Sequence, residues 1–259
     1  MNPIYEPKGK AKEYGDRALN IYTGCPHRCY FCYAPLVLKR DKEEFHSRVE
    51  PRTNIVEETR KQLERQNISG EMIHLCFTCD PYPTGYDTTP TREIIKLLKE
   101  RGNHVQILTK DNGRRDFDLL DGGDWFGVTI TGGESAEKRH ELSEQLIQAK
   151  SLYGISTWIS FEPVIDADII LDCLRYGANA VDKVKIGKLN YHKSDINWHE
   201  FGIEAERICK EQDINYYIKE SLRAEMLSTG RNKGYKEYEQ RTVYFEDIEG
   251  ESQFMLYFP

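Results

Sequence analysis

The chain has 259 residues, enough for one large α/β domain with its own core. Charged residues make up 31% of it and the formal charge is −7, which argues against a protein that coats nucleic acid through bulk charge. Seven cysteines, three of them crowded into one short stretch, do not form a secreted disulfide pattern. The first residues carry no apolar signal region, and no apolar run approaches the ~18 residues of a membrane span, so a reducing, cytoplasmic setting is expected.

Residues 1–17 read as an N-terminal arm. Lys8, Lys10, Lys12 and Arg17 gather there, with Tyr5 and Tyr14 between them. The arm is expected to be a solvated tail, with contact to a phosphate or cover over an active site as the alternative. Residues 18–23 predict a short strand ending at Gly24. Next comes Cys25-Pro26-His27-Arg28-Cys29-Tyr30-Phe31-Cys32, spaced Cys-x3-Cys-x2-Cys. A loop leaving a strand is where α/β proteins place their chemistry.

Three thiolates on one short loop can converge on a single soft metal centre, an iron–sulfur cluster or zinc. Four thiolates would close a cluster and suit electron transfer. Three leave one iron free to take a substrate or cofactor. The alternatives are a structural zinc site with His27 as fourth ligand, or three unrelated buried cysteines. His27, lying between two ligands on a tight loop, is expected to point away from the metal.

Residues 34–40 predict a helix or short turn, and residues 41–51 a charged loop. Thr53 or Asn54 caps a helix running to about residue 66. The strand 72–77 follows, then the loop 78–83. From there helices at 91–101, 116–120, 135–153, 168–176 and 199–212 alternate with strands at 104–109, 125–131, 155–161, 181–186 and 215–218. That alternation means parallel βαβ units. The expected fold is α/β, a partial (β/α)6 parallel barrel spanning residues 18–220. An open doubly wound sheet is the alternative, but no Gly-x-Gly-x-x-Gly follows the first strand. Residues 221–259 read as a C-terminal extension. Within it Thr242-Val243-Tyr244-Phe245 and Phe254-Met255-Leu256-Tyr257-Phe258 predict a β-hairpin that packs on the core, closes the open side of the barrel or covers the site.

A parallel barrel carries its site at the carboxyl ends of its strands. Those ends hold the cysteine loop, Thr78-Cys79-Asp80-Pro81-Tyr82, Thr109-Lys110, Thr129-Ile130-Thr131, Glu162-Pro163, Gly187-Lys188-Leu189-Asn190 and Lys219-Glu220-Ser221. Turn chemistry explains Gly, Asn and Asp there, but not Lys110, Glu162 or Lys219. Cys76 in mid-strand, and Cys173 and Cys209 in helices, read as core.

The cysteine spacing, with the aromatic Phe31 just before the last cysteine, resembles the signature of the radical S-adenosylmethionine (SAM) superfamily. Five pieces resemble its spore photoproduct lyase-like branch: Tyr5-Glu6-Pro7-Lys8-Gly9-Lys10, Tyr22-Thr23-Gly24-Cys25, Tyr33-Ala34, Thr78-Cys79-Asp80-Pro81-Tyr82, and Thr109-Lys110. The resemblance implies a 4Fe-4S cluster on Cys25, Cys29 and Cys32 whose open iron chelates SAM. An electron from a flavodoxin- or ferredoxin-like donor would cleave SAM to methionine and a 5′-deoxyadenosyl radical. That radical would abstract hydrogen from an unidentified substrate, nucleic acid among the candidates, in a lyase- or transferase-type reaction.

By the same resemblance Lys110 pairs with the SAM carboxylate, with Thr129 as a hydroxyl partner. Asp80 or Thr78 meets the amino group, where other members carry a Gly-Gly-Glu turn that this chain lacks. Tyr30, Phe31, Tyr33 and Tyr82 are candidates for the cofactor or radical side. Cys79 is the candidate hydrogen-atom donor. The competing reading is a non-enzymatic zinc or iron–sulfur module with a structural or electron-transfer role.

Overall fold

The computed structural model describes residues 2–228, so the hairpin expected at 242–258 lies outside the described residues. Eight strands form one sheet in sequential order. They are β1 (Ile4–Tyr5), β2 (Arg17–Leu19), β3 (Met72–Leu75), β4 (His104–Thr109), β5 (Trp125–Thr129), β6 (Ser156–Phe161), β7 (Lys183–Ile186) and β8 (Tyr216–Ile218). β1 runs antiparallel to β2, and every later neighbour pair is parallel. Among the described residues no ladder joins β8 back to β1 or β2. The expected partial barrel is therefore present, with seven parallel strands and six crossovers.

Helices α1 (Ala34–Leu38), α2 (Lys42–Ser47) and α3 (Ile55–Gln66) lie between β2 and β3, and α4 (Thr89–Glu100) between β3 and β4. Only a 3-10 turn, Arg114–Leu119, connects β4 to β5. α5 (Ala136–Tyr153), α6 (Ala167–Tyr176) and α7 (Trp198–Glu211) complete the crossovers, and α8 (Glu220–Ser228) follows β8. Ser135, Asp166 and Asn197 each start their helix by accepting the amide three residues on. Apolar strand residues such as Ile73, Ile107, Val128, Ile159 and Val184 are fully buried and join the helices in one continuous core.

The alternate strand positions carry a polar set, all buried: His74 opposite Gln106, and Ser160 opposite Lys185. Tyr14 meets this set, its ring 5.5 Å from His74 and 6.0 Å from Trp158. The arm is thus not a solvated tail. Its 3-10 turn Gly9–Tyr14 carries Glu13, whose Oε2 accepts the Tyr217 hydroxyl and the Glu220 amide, each at 3.1 Å. The arm therefore bridges to the far edge of the open sheet, a role the sequence reading had offered to the C-terminal extension.

Three local readings change. β2 ends at Leu19, because from there the chain leaves the sheet and Tyr22 bridges to Pro51 instead. β3 ends at Leu75; Cys76 is not in mid-strand but in the left-handed region at φ +69°. The charged stretch after residue 41 is not a loop, since Asp41 caps α2 by accepting the Glu44 amide.

Candidate functional site

The cysteine loop is braced from outside by α2. The Cys25 amide donates to the Phe45 carbonyl at 3.2 Å, and His46 Nδ1 lies 2.8 Å from the Cys25 carbonyl oxygen. A Cβ on Gly24 would stand 2.3 Å from the Phe45 carbonyl oxygen, so only glycine allows this approach. Arg28, at φ +51°, reverses the chain, and the Cys32 amide closes a turn on the Cys29 carbonyl at 3.0 Å. No disulfide ties the three cysteines. Burial pushes all three thiols up. The Lys110 ammonium works against this at Cys29, and a bound metal would hold all three as thiolates.

These cysteines line a cavity of about 540 Å³ at the carboxyl ends of the strands. The same cavity is walled by Thr78, Cys79, Asp80, Lys110, Thr129 and Phe31. The structure therefore brings together the sequence-predicted site residues except Tyr82, which does not line the cavity, and Tyr30, which is 53% exposed and packs on the His192 ring.

Lys110 reaches across the cavity, its Nζ 5.3 Å from the Phe31 ring centre and 3.8 Å from Glu134 Oε1. Glu134 closes the tripeptide Gly132-Gly133-Glu134, so the chain does contain this sequence. It stands after β5, and its carboxylate folds back onto the Thr131 amide at 2.9 Å. The Thr78 hydroxyl is buried and has no hydrogen-bond partner among the described residues. The Thr78 amide is held, with that of Phe77, by Asn20 Oδ1 at 2.9 and 2.8 Å.

Asp80 behaves differently from the expectation. Its Oδ1 accepts the Thr109 hydroxyl at 2.6 Å and the Tyr82 amide at 2.8 Å. Its Oδ2 accepts the Lys110 amide at 2.9 Å and contacts His27 Nε2 at 3.1 Å. A carboxylate offers about four lone-pair sites, and all four are taken, so none is left for a SAM amino group. His27 lines the same cavity as the cysteines and turns its Nε2 to Asp80. Tyr82 is likewise turned inward, 4% exposed.

Cys79 lies against Cys76, which hydrogen-bonds to it, and its sulfur receives the Tyr22 amide at 3.4 Å. Burial raises the Cys76 thiol. Burial also acts to raise Cys79, but the bonds from Cys76 and the Tyr22 amide outweigh it and leave Cys79 below its ordinary value.

The sequence does not show that Tyr14 joins Glu162 and Lys219 in the wall of this cavity. There Tyr14 Oη donates to Glu162 Oε2 at 2.5 Å, and Lys219 Nζ donates to the same oxygen at 2.6 Å. Gly187 leaves room for this carboxylate; a Cβ there would lie 2.8 Å from Glu162 Cδ. Lys185 lies behind, its Nζ 4.3 Å from the Tyr14 ring centre, and burial lowers its pKa to about 7. Lys219 and Glu162 stood out in the sequence by type, but nothing local pointed to Tyr14.

Zn–S bonds of ~2.3 Å would draw three sulfurs to about 4 Å from one another. Among the described residues, one trio of ligand atoms lies mutually within 4.8 Å: His104, Asp121 and Asp124, at the amino ends of the strands. Lys99 already occupies that trio, 2.8 Å from Asp121 and 2.5 Å from Asp124. The three cysteine sulfurs do not form such a trio among the described residues.

Among the described residues no helix is long and apolar enough to cross a membrane. The model of the radical SAM superfamily matches residues 19–181, more than half of the chain. Two solved structures share the fold, a tyrosine-to-phenylalanine and a cysteine-to-alanine variant of spore photoproduct lyase. Each has a TM-score of 0.61 at 12% identity, over 82% of this chain and 78% of the other. No curated protein matches the sequence significantly. With three cysteines of the superfamily's spacing on a partial barrel of its kind, this chain belongs to the radical SAM superfamily, enzymes that use a 4Fe-4S cluster and S-adenosylmethionine for radical chemistry.

Proposed function

We propose that Cys25, Cys29 and Cys32 ligate the cluster and that SAM sits beside it, its carboxylate toward Lys110 and Thr129 and its amino group toward the Thr78 hydroxyl. The observation that carries this reading is that thiols, cation and hydroxyls from four different strand ends line one cavity. When bound, the cluster and SAM supply a 5′-deoxyadenosyl radical that takes a hydrogen atom from the substrate.

The chain's own residues do the rest. Lys110 is a charged partner already held in the cavity wall. The orphan Thr78 hydroxyl gains a partner when an amino group arrives, removing the cost of its unmade bond. Phe31, Phe77 and Leu108 exclude water from the reacting space. Cys79, in the same wall, gives its S–H hydrogen atom to the substrate radical, and one electron from the donor with a proton returns the resulting thiyl radical to the thiol.

The electron donor on this reading is a flavodoxin- or ferredoxin-like carrier, the compartment is the cytoplasm, and the substrate is a damaged nucleic acid in a lyase-type reaction. Lys8, Lys10 and Lys188 line the cavity, and Lys10 Nζ stands 5.3 Å over the exposed Tyr191 ring. Cations interleaved with an exposed aromatic suit phosphates and bases. The likeness to an enzyme named spore photoproduct lyase points the same way. The test is anaerobic turnover with thymine-dimer DNA. The reading expects 5′-deoxyadenosine formation to rise above its rate with SAM alone, and Cys79→Ala to cleave SAM while losing the closed-shell product. No response to this DNA would reject the substrate; a Cys79→Ala protein with full product yield would reject the donor.

A further inference from the structure

We infer that Asp80 is a positioning residue: it fixes the cluster-bearing loop, through His27, to the strand end that carries Lys110. The inference rests on the reading above that the loop holds the cluster and Lys110 faces SAM.

One carboxylate, 6% exposed, receives donors from three successive strand ends. His27 comes from the loop after β2, the Tyr82 amide from the loop after β3, and Thr109 and the Lys110 amide from the end of β4. The contacts divide evenly, two to each oxygen, and use the carboxylate's full capacity. Burial alone would raise its pKa. The bonds from His27, Thr109 and Lys110 outweigh that and hold it below the ordinary carboxylate range. A buried anion so held is stiff, because moving any donor away leaves charge unsolvated.

The geometric consequence follows from what SAM must span. Its polar end meets the cluster on one side and Lys110 on the other, so the separation between loop and strand end sets how well it binds. The loop cysteines and Lys110 belong to elements 81 residues apart by the numbering of Cys29 and Lys110. His27–Asp80–Lys110 is the hydrogen-bonded link between them on the cavity side. His27 lies between two of the three cysteines, so its tether acts on both flanking sulfurs.

The test uses the full-length, anaerobically reconstituted protein with three readouts: iron content, the midpoint potential and EPR line shape of the reduced cluster, and the SAM dissociation constant. Asp80→Asn keeps the size but turns an amide N–H₂ toward donors. His27→Phe removes only the loop's side of the link and leaves Asp80 in place. We expect His27→Phe to retain iron, alter potential and line shape, and weaken SAM by about tenfold, although the reading above assigns His27 no bond to SAM. Asp80→Asn should shift the same quantities in the same direction, with the double variant no worse than Asp80→Asn alone. His27→Gln, whose amide can donate to Asp80, should recover most of the loss. If Asp80→Asn weakens SAM while His27→Phe leaves every readout at its wild-type value, Asp80 is a SAM ligand and the inference falls. An equal loss in His27→Gln and His27→Phe would overturn it as well. A wild-type protein without a cluster would instead overturn the reading on which it rests. Should Asp80→Asn fail to fold, the His27 pair still decides.

Discussion

Tyr14 and Glu162, 148 residues apart, are joined by a 2.5 Å hydrogen bond from the Tyr14 hydroxyl to Glu162 Oε2. The bond ties the N-terminal arm to the end of β6. Lys219, at the end of β8, donates to the same oxygen, and Lys219 and Lys185 both stand over the Tyr14 ring, at 4.4 and 4.3 Å. The arm thus fills the interior that a complete barrel would fill with its own strands.

This arrangement makes the arm structural. Removing the hydroxyl in Tyr14→Phe should cost about 1.5–3 kcal/mol, the worth of a hydrogen bond to a charged group. Tyr14→Ala, which also opens a cavity, should cost about 3–5 kcal/mol. Urea denaturation followed by circular dichroism measures both. A change under about 0.5 kcal/mol for Tyr14→Ala, the range of an ordinary surface site, would return the arm to the role of a loose tail.

Gly127 is the second structural pivot. The Trp158 indole crosses β5 at this glycine to donate to the Ile107 carbonyl on β4, at 3.0 Å. A Cβ on Gly127 would sit 2.3 Å from Trp158 Nε1. Gly127→Ala should therefore destabilise by at least about 1–3 kcal/mol and shift the tryptophan emission. An alanine variant with unchanged stability and emission would contradict the close approach.

His74 sets an acid limit. Burial, with the nearby Lys185 charge, lowers its pKa to about 3, and its Nδ1 lies 3.2 Å from Gln106 Nε2. Between pH 6.5 and 3 the unfolded chain takes up a proton there and the folded chain does not, so stability falls as pH falls through that window. His74→Gln should flatten this part of the stability profile. Thermal unfolding at pH 7, 6, 5 and 4 tests it, and parallel slopes for both proteins would remove His74 from the account.

Lys110 should matter for SAM alone. Lys110→Met should leave the iron content unchanged and weaken SAM binding by about 10–100-fold, the range for one lost charge-assisted bond. Equilibrium dialysis with labelled SAM on reconstituted protein reads it directly. Unchanged affinity would place the SAM carboxylate elsewhere in the cavity.

What the sequence showed depended on distance along the chain. The cysteine spacing and the βα period are local, and both led to the cluster loop and to a partial barrel. Lys110, Thr78, Thr129 and Cys79 followed because parallel strands carry their ends to one face. The capping signature of α2, Asp41 followed three residues on by Glu44, was also local and was passed over among the surrounding charges. The apolar run before Cys76 does not show where the backbone turns left-handed, so the sequence alone puts Cys76 in mid-strand. Apart from the local Tyr82 amide on Asp80, the contacts of Tyr14, Glu13 and Asp80 quoted above span from 29 to 207 residues, and no periodicity reports them. Asp80 is a candidate ligand by resemblance, from its place where other members carry a Gly-Gly-Glu turn, while its four donors appear only once three loops are in place.

The central claim is that three thiolates hold a cluster at which SAM is cleaved. The direct measurement is iron content and 5′-deoxyadenosine formation in anaerobically reconstituted protein, beside Cys29→Ala. The account predicts a 4Fe-4S cluster and reductant-dependent 5′-deoxyadenosine in the wild type, and neither in the variant. Zinc without iron in the anaerobic wild type, or undiminished 5′-deoxyadenosine from Cys29→Ala, would contradict it.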